Sequence, residues 1–297
     1  MLSYRIEGQG TPLLLIHGWG VTFDIWRNLA PLLKPHFRLI MVEMLGVGKS
    51  PPAPSDKPYY VACANALAET LQHIGIEKVS VLAYSTGTRV AETFLQLYPS
   101  LIERAALLCP IYPRGWQAFG IRMVEYFDQR SPRWGNWMLM GWRLNAMVRV
   151  LGFNGQRSPY LQDWVREISA QPVDILKTCI RDIPRYDRTL AAIPLDKTLF
   201  IWGKHDLVTQ RPRRPLPNDR FMRARHDAPL FSAHDVANEV IPFFKGETTL
   251  PLSYGQDVQW NVQPRRRWRT LPRLRRINSE QRTPRLPLKR SNRITRW

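Results

Sequence analysis

Ser85 stands in the run Val79-Ser80-Val81-Leu82-Ala83-Tyr84-Ser85-Thr86-Gly87-Thr88. A serine held where a strand turns at once into a helix sits in a tight bend. Only small neighbours two positions to either side avoid collision there, and Ala83 and Gly87 meet that demand. The bend exposes the hydroxyl and aims the next backbone N–H, that of Thr86, into the same space. A hydroxyl beside such a donor is equipped for acyl transfer, attacking a carbonyl while the N–H steadies the oxyanion that forms. No other serine in the chain combines a small residue two before with a glycine two after.

The hydroxyl needs a base, and the base an orienting acid. After the apolar run Thr198 to Trp202 comes Gly203-Lys204-His205-Asp206, and further on His226-Asp227-Ala228-Pro229-Leu230. His226 is the expected base for Ser85 and Asp206 the acid that fixes its tautomer. His234, at the start of a helix beside Asp235, is the weaker candidate, and His205 reads as solvated. A second oxyanion donor is expected from His17-Gly18-Trp19-Gly20, where two glycines let the chain turn sharply and present the N–H of Trp19 opposite that of Thr86. Gly18, Trp19, Tyr84 and Thr86 are thus assigned to the oxyanion and substrate side, and His17 to shaping the loop rather than ionising.

Gly46-Val47-Gly48-Lys49-Ser50 mimics the end of a phosphate-binding loop. Glu43 stands where its first glycine belongs, and Pro51 and Pro52 deny it the helix that would hold phosphate. No His, Cys, Asp or Glu set has metal-ligand spacing, so no metal or other cofactor is expected.

These residues require strands that end at one sheet edge. Leu13–Ile16, Phe37–Val42, Val79–Ala83, Ala105–Leu108 and Thr198–Trp202 read as strands buried on both faces, and 220–225 is strand-like. Helices are expected at Ile25–Leu33, Tyr60–Ile74, Arg89–Tyr98 and Asp235–Phe244. That alternation signals a mostly parallel sheet covered by crossover helices, an α/β protein whose ligand site lies at the strands' carboxyl edge. From about Pro113 to Leu190 no good strand occurs. Helical stretches rich in Trp and Met (Trp116, Met123, Trp134, Trp137, Met138, Met140, Trp142, Met147 and Trp164) fill it, as core packing or as an acyl or aromatic pocket. The expected division is a core of 1–112 and 191–245, an inserted helical cap of 113–190, and a linker and disordered tail over 246–297.

The net charge of +19 belongs mostly to that tail. Arginines crowd the stretch after Pro264 with Glu280 as its lone acid, too little apolar surface to fold alone. A solvated extension is favoured over contact with nucleic acid or an anionic membrane. Cys63, Cys109 and Cys179 are widely spaced and read as buried thiols of a reducing compartment. With neither a signal-peptide core nor a membrane-length apolar run, the expected location is cytoplasmic.

In motif order the chain resembles the α/β-hydrolase superfamily over residues 3 to 245, and among its subgroups most resembles small carboxylesterases of the pimeloyl-ACP methyl ester esterase kind. The matching segments are His17 to Gly20, Gly46 to Ser50, the elbow at Ser85, Trp202-Gly203 with Asp206, and His226 with Ala228-Pro229. It departs at Ala83 for a usual glycine, Glu43 for a usual aspartate and Thr88 for a second glycine; the Asp206–His226 spacing is short for the family, and Gln210-Arg211-Pro212-Arg213-Arg214-Pro215 is a poor helix where the family usually has one. The resemblance implies cleavage of a small-molecule ester or acyl substrate through an acyl-enzyme. The same residues also suit carbon–carbon, lactone or amide hydrolysis or acyl transfer, and the fold suits a non-catalytic binding protein. Serine at the elbow argues against the dehalogenase and epoxide-hydrolase branches, which use aspartate there. The oligomeric state is not legible.

Overall fold

Period-two alternation along the strands decides the layering. In the computed structural model, residues 1–113, 116–183, 194–212 and 215–248 are described. The strands are β1 (Tyr4–Glu7), β2 (Thr11–Ile16), β3 (Phe37–Val42), β4 (Val79–Tyr84), β5 (Ile102–Leu108), β6 (Thr198–Gly203) and β7 (Asp219–Met222). They form a seven-stranded sheet in the order β1-β3-β2-β4-β5-β6-β7. All neighbours pair in parallel except β1, which runs antiparallel to β3. Leu13, Leu15, Leu82, Leu108 and Ile201 point to one face, while Leu14, Ile16, Val81, Leu107 and Phe200 point to the other. Both faces are therefore buried, which is why these strands carry almost no polar residues.

Before β4 come α1 (Ala30–Leu33) and α2 (Tyr59–His73), and after it α3 (Gly87–Leu97). α2 and α3 cover the second face, where Cys63, Leu67, Val90 and Phe94 pack. Between β5 and β6 lie α4 (Trp116–Arg130), α5 (Pro132–Met138), α6 (Gly141–Phe153), α7 (Leu161–Ser169) and α8 (Val173–Arg181). After β7 come α9 (Ala228–Phe231) and α10 (Ala233–Phe244), and α10 seals the first face with Val236, Val240 and Phe243. Among the described residues no helix is long and apolar enough to cross a membrane.

The structure corrects one expected element. Ile25–Leu33 is not a continuous helix but a 3-10 turn over Phe23–Trp26 followed by α1. Pro31 has no N–H to give Arg27, so it can only open a helix, and it sits in the first turn of α1. Strand β1 was not anticipated, since Tyr4–Glu7 has a mixed burial pattern typical of an edge. The linker and tail from 249 onward lie outside the described residues.

Candidate active site

Ser85 links β4 directly to α3 with φ 54°, a left-handed conformation that a serine adopts only under constraint. Its N–H donates to Leu108 O (3.0 Å), and Thr88 N–H donates back to Ser85 O (3.1 Å), so strand and helix pin the bend from both sides. Gly87 is obligatory here: a Cβ on it would press on the His17 carbonyl and stand 2.7 Å from Ile16 O. Gly18 is confined likewise, since its Cβ would lie 2.9 Å from Ser85 Cβ. Gly87 at the start of α3 and Gly18 in the loop after β2 are thus required by one close approach around the serine.

His226 follows β7 and directly precedes α9, with Pro229 in the helix's first turn. Its Nε2 is 2.9 Å from Ser85 Oγ, and its Nδ1 is 2.9 Å from Asp206 Oδ2. Asp206 also accepts from Val208 N–H (2.7 Å) and Thr209 N–H (3.0 Å) at Oδ1, and from the Thr209 hydroxyl (2.6 Å) at Oδ2. Burial works against its charge, yet the imidazole and the Thr209 donors outweigh burial and hold the carboxyl below the usual carboxylate range. A carboxylate held ionised at Nδ1 keeps the proton on that nitrogen and leaves Nε2 as the acceptor facing Ser85.

The stretch from Gly203 to Asp219 contains no helix among its described residues, as its composition implied. β7 nevertheless pairs in parallel with β6 from Phe200↔Asp219 to Gly203↔Met222. Asp206 itself gathers the short loop by accepting the two backbone N–H groups that follow it. Nothing in the sequence singled out Thr209, although an Asp followed three residues later by Thr is a pattern that captures local donors.

His17 is fully buried. Its Nε2 accepts from Met44 N–H (3.0 Å), which leaves Nδ1–H to donate to Gly18 O (2.8 Å). Burial lowers its pKa to about 4. It is a neutral brace that fixes the Gly18-Trp19 turn. The Trp19 indole donates to Leu176 O (2.9 Å), tying that turn to α8. Neither the Trp19 nor the Thr86 backbone N–H donates to another described residue. Tyr84 lines the cavity at Ser85 and has a further contact: its hydroxyl donates to His226 O (2.5 Å) and its ring packs 5.2 Å from the imidazole, so it also positions the His226 segment. His234 and His205 have no contact with the Ser85–His226 pair among the hydrogen bonds described. In the Gly46–Ser50 turn, Glu43 Oε2 accepts from Lys49 N–H (2.8 Å) and fills the space beside Gly48 that a phosphate would need.

Ser85, Thr86, Trp19, Tyr84 and His226 open into a cavity of about 380 Å³. Its other walls are chiefly apolar side chains of α4, α6, α7 and α8, among them Ile121, Val124, Met147, Leu151, Trp164 and Ile180. Trp164 and Met147 are thus cavity wall, whereas Trp134, Trp137, Met140 and Trp142 are exposed on the outside. The side chains of Trp116 and Met138 fall outside the described residues. Among the described residues, one set of metal-ligating side chains lies close together: Cys109, Asp206 and His226, within 4.8 Å. Burial and then the Asp206 charge push the Cys109 thiol well above its ordinary range, so it is a neutral neighbour of the carboxylate rather than a thiolate ligand.

Residues 11–216 match a family described as alpha/beta hydrolase fold, and the chain belongs to that family. It is 26% identical over 266 residues to a pimeloyl-[acyl-carrier protein] methyl ester esterase of Aeromonas hydrophila, spanning 82% of this chain and 100% of that one. It is 34% identical over 193 residues to a soluble epoxide hydrolase of a Corynebacterium species, spanning 60% of this chain and 66% of that one. Among solved structures it resembles a thermophilic esterase of Thermogutta terrifontis, with a TM-score of 0.65 at 21% identity, covering 82% of this chain and 93% of that one. The last likeness is one of fold.

Proposed function

We propose that this hydrolase cleaves carboxylic esters through an acyl-enzyme on Ser85. The observation that carries the reading is the hydrogen-bonded chain Ser85 Oγ–His226–Asp206, 2.9 Å at each step, opening into an apolar cavity. Ser85 Oγ attacks the ester carbonyl and passes its proton to His226 Nε2. The unengaged N–H groups of Trp19 and Thr86 receive the oxyanion, and His226 returns the proton to the departing alkoxide. Water, deprotonated by His226, then attacks the acyl-enzyme, releasing the acid and restoring Ser85. Asp206 stays ionised throughout and stabilises the imidazolium.

The likeness to a methyl ester esterase supports ester substrates, and the chiefly apolar cavity supports an acyl chain of medium length. The likeness to an epoxide hydrolase does not carry over in the same way, because an alkyl–enzyme ester needs a carboxylate nucleophile and the elbow offers a hydroxyl. Incubation with p-nitrophenyl esters of increasing acyl length tests the reading. Turnover is expected to peak at one length and to fall by about 10⁴-fold or more in Ser85→Ala. Absence of turnover together with absence of fluorophosphonate labelling at Ser85 would replace the enzyme reading with a binding protein of the same fold.

A further inference from the structure

The helices that wall the cavity have an outer face for which the chemistry at Ser85 has no use. Most of the exposed large hydrophobic side chains among the described residues lie on α4, α5, α6 and their junctions. Trp142 is 72% exposed, Trp134 55% and Trp137 50%, and Phe119, Tyr126 and Met140 of the same helices and junctions are exposed too. Four of the rings form a chain: Phe127 contacts Tyr126 (5.6 Å) and Trp134 (6.4 Å), and Trp134 meets Trp137 edge-on (5.7 Å). The Arg143 guanidinium lies 3.9 Å above Trp137 and 5.4 Å from Trp142, and that of Arg130 lies 4.4 Å from Tyr126. From Trp116 to Phe153 there are five arginines and two acids, and one of those acids, Asp128, is already paired with Lys177 (2.8 Å).

Indole and phenol rings are apolar bodies with a polar tip, suited to the boundary between headgroups and acyl chains. Exposed aromatic side chains interleaved with arginines are the composition of a surface that lies on anionic lipid. The guanidiniums of Arg130 and Arg143 are engaged with the rings beside them. They therefore offer cationic charge along the band rather than forks aimed at one carboxylate, which favours a fluid anionic surface over a protein partner in fixed register. We propose that the outer face of α4–α6 docks on an anionic lipid surface with Trp134, Trp137 and Trp142 at headgroup depth. The proposal is independent of the reaction assigned to Ser85.

The full chain is mixed with vesicles of phosphatidylcholine alone or with phosphatidylglycerol, carrying brominated acyl chains, and both co-sedimentation and quenching of tryptophan emission are read. Salt-sensitive binding to the anionic vesicles with quenching is expected. W134S/W137S/W142S should lose about half or more of the quenching, as should R130E/R133E/R143E, while the charge after Pro264 sustains part of the co-sedimentation. W142S alone removes the most exposed ring, should melt as the parent does, and should still reduce quenching. The arginine-rich stretch after Pro264 can itself draw the chain to anionic vesicles. Co-sedimentation without quenching, or quenching that none of these substitutions alters, would overturn the proposal, as would absence of binding or capture of an acidic protein in place of vesicles.

Discussion

At the scale of single residues, the site depends on groups that never meet the substrate. Thr209 donates its hydroxyl to the same Asp206 oxygen that receives His226 Nδ1, so it decides where that oxygen sits when the imidazole turns toward Ser85. Thr209→Val keeps the shape and removes the donor, and ester turnover should drop about tenfold at unchanged KM, with Thr209→Ser restoring most of it. An equal fall in the valine and serine variants would instead mark a packing role. His17 makes a second prediction, on stability. Buried and neutral, it has a folded pKa of about 4 against an unfolded value near 6.5. The unfolded chain therefore binds the extra proton between those values, and stability contributed by neutral His17 is lost as pH falls from 6.5 towards 4. The loss is about 3 kcal/mol at the lower end. Asn places an amide N–H where Nδ1–H donates to Gly18 O and cannot titrate. Urea unfolding at pH 7 and pH 4.5 should thus show a smaller pH difference in His17→Asn than in the parent; equal differences would place the titration elsewhere.

At the scale of elements, the strands and the bends at their ends were the most legible part of the sequence. Buried parallel strands need nearly unbroken apolar runs, and Leu13–Ile16, Phe37–Val42 and Val79–Ala83 announce themselves for that reason. The elbow was legible because Gly87 has to be glycine where the β2 turn passes against it. What stayed hidden was set by tertiary contact. β1 exists because β3 offers it an edge, and the break before α1 follows from one proline. Thr209 and Tyr84 acquired their roles from residues 3 and 142 positions away, and only the nearer of these leaves any local pattern. The same close approach yields a prediction. Gly87→Ala would drive its Cβ into the His17 and Ile16 carbonyls, two backbone atoms that cannot step aside. It should destabilise by about 2–4 kcal/mol and abolish turnover, read as a lowered melting temperature. An unchanged melting temperature would mean that the β2 turn is free to retreat.

At the scale of the whole molecule, most of the net charge lies outside the described residues. Among the described residues the last strand ends at Met222, the first face is sealed at Phe244, and the family match ends at residue 216. Of the net charge of +19, most is carried beyond Pro264, where arginines outnumber every other residue type. Burial in the described core accounts for the hydrophobic stabilisation that holds Ser85, His226 and Asp206 together, and that core draws on residues up to Phe244. A chain ended at Ser253 should therefore melt within about 2 °C of the full chain and turn over esters at the same rate. It should also leave a heparin column at distinctly lower salt, because fewer counterions are released per bound chain. Retention above that of an uncharged control is still expected, carried by the excess of Lys and Arg over Asp and Glu within residues 1–253. If the shortened chain melted earlier, residues beyond 253 would have to contribute packing to the hydrolase body, and their arginines would have to be read as ion-pair partners rather than as a separate polycation.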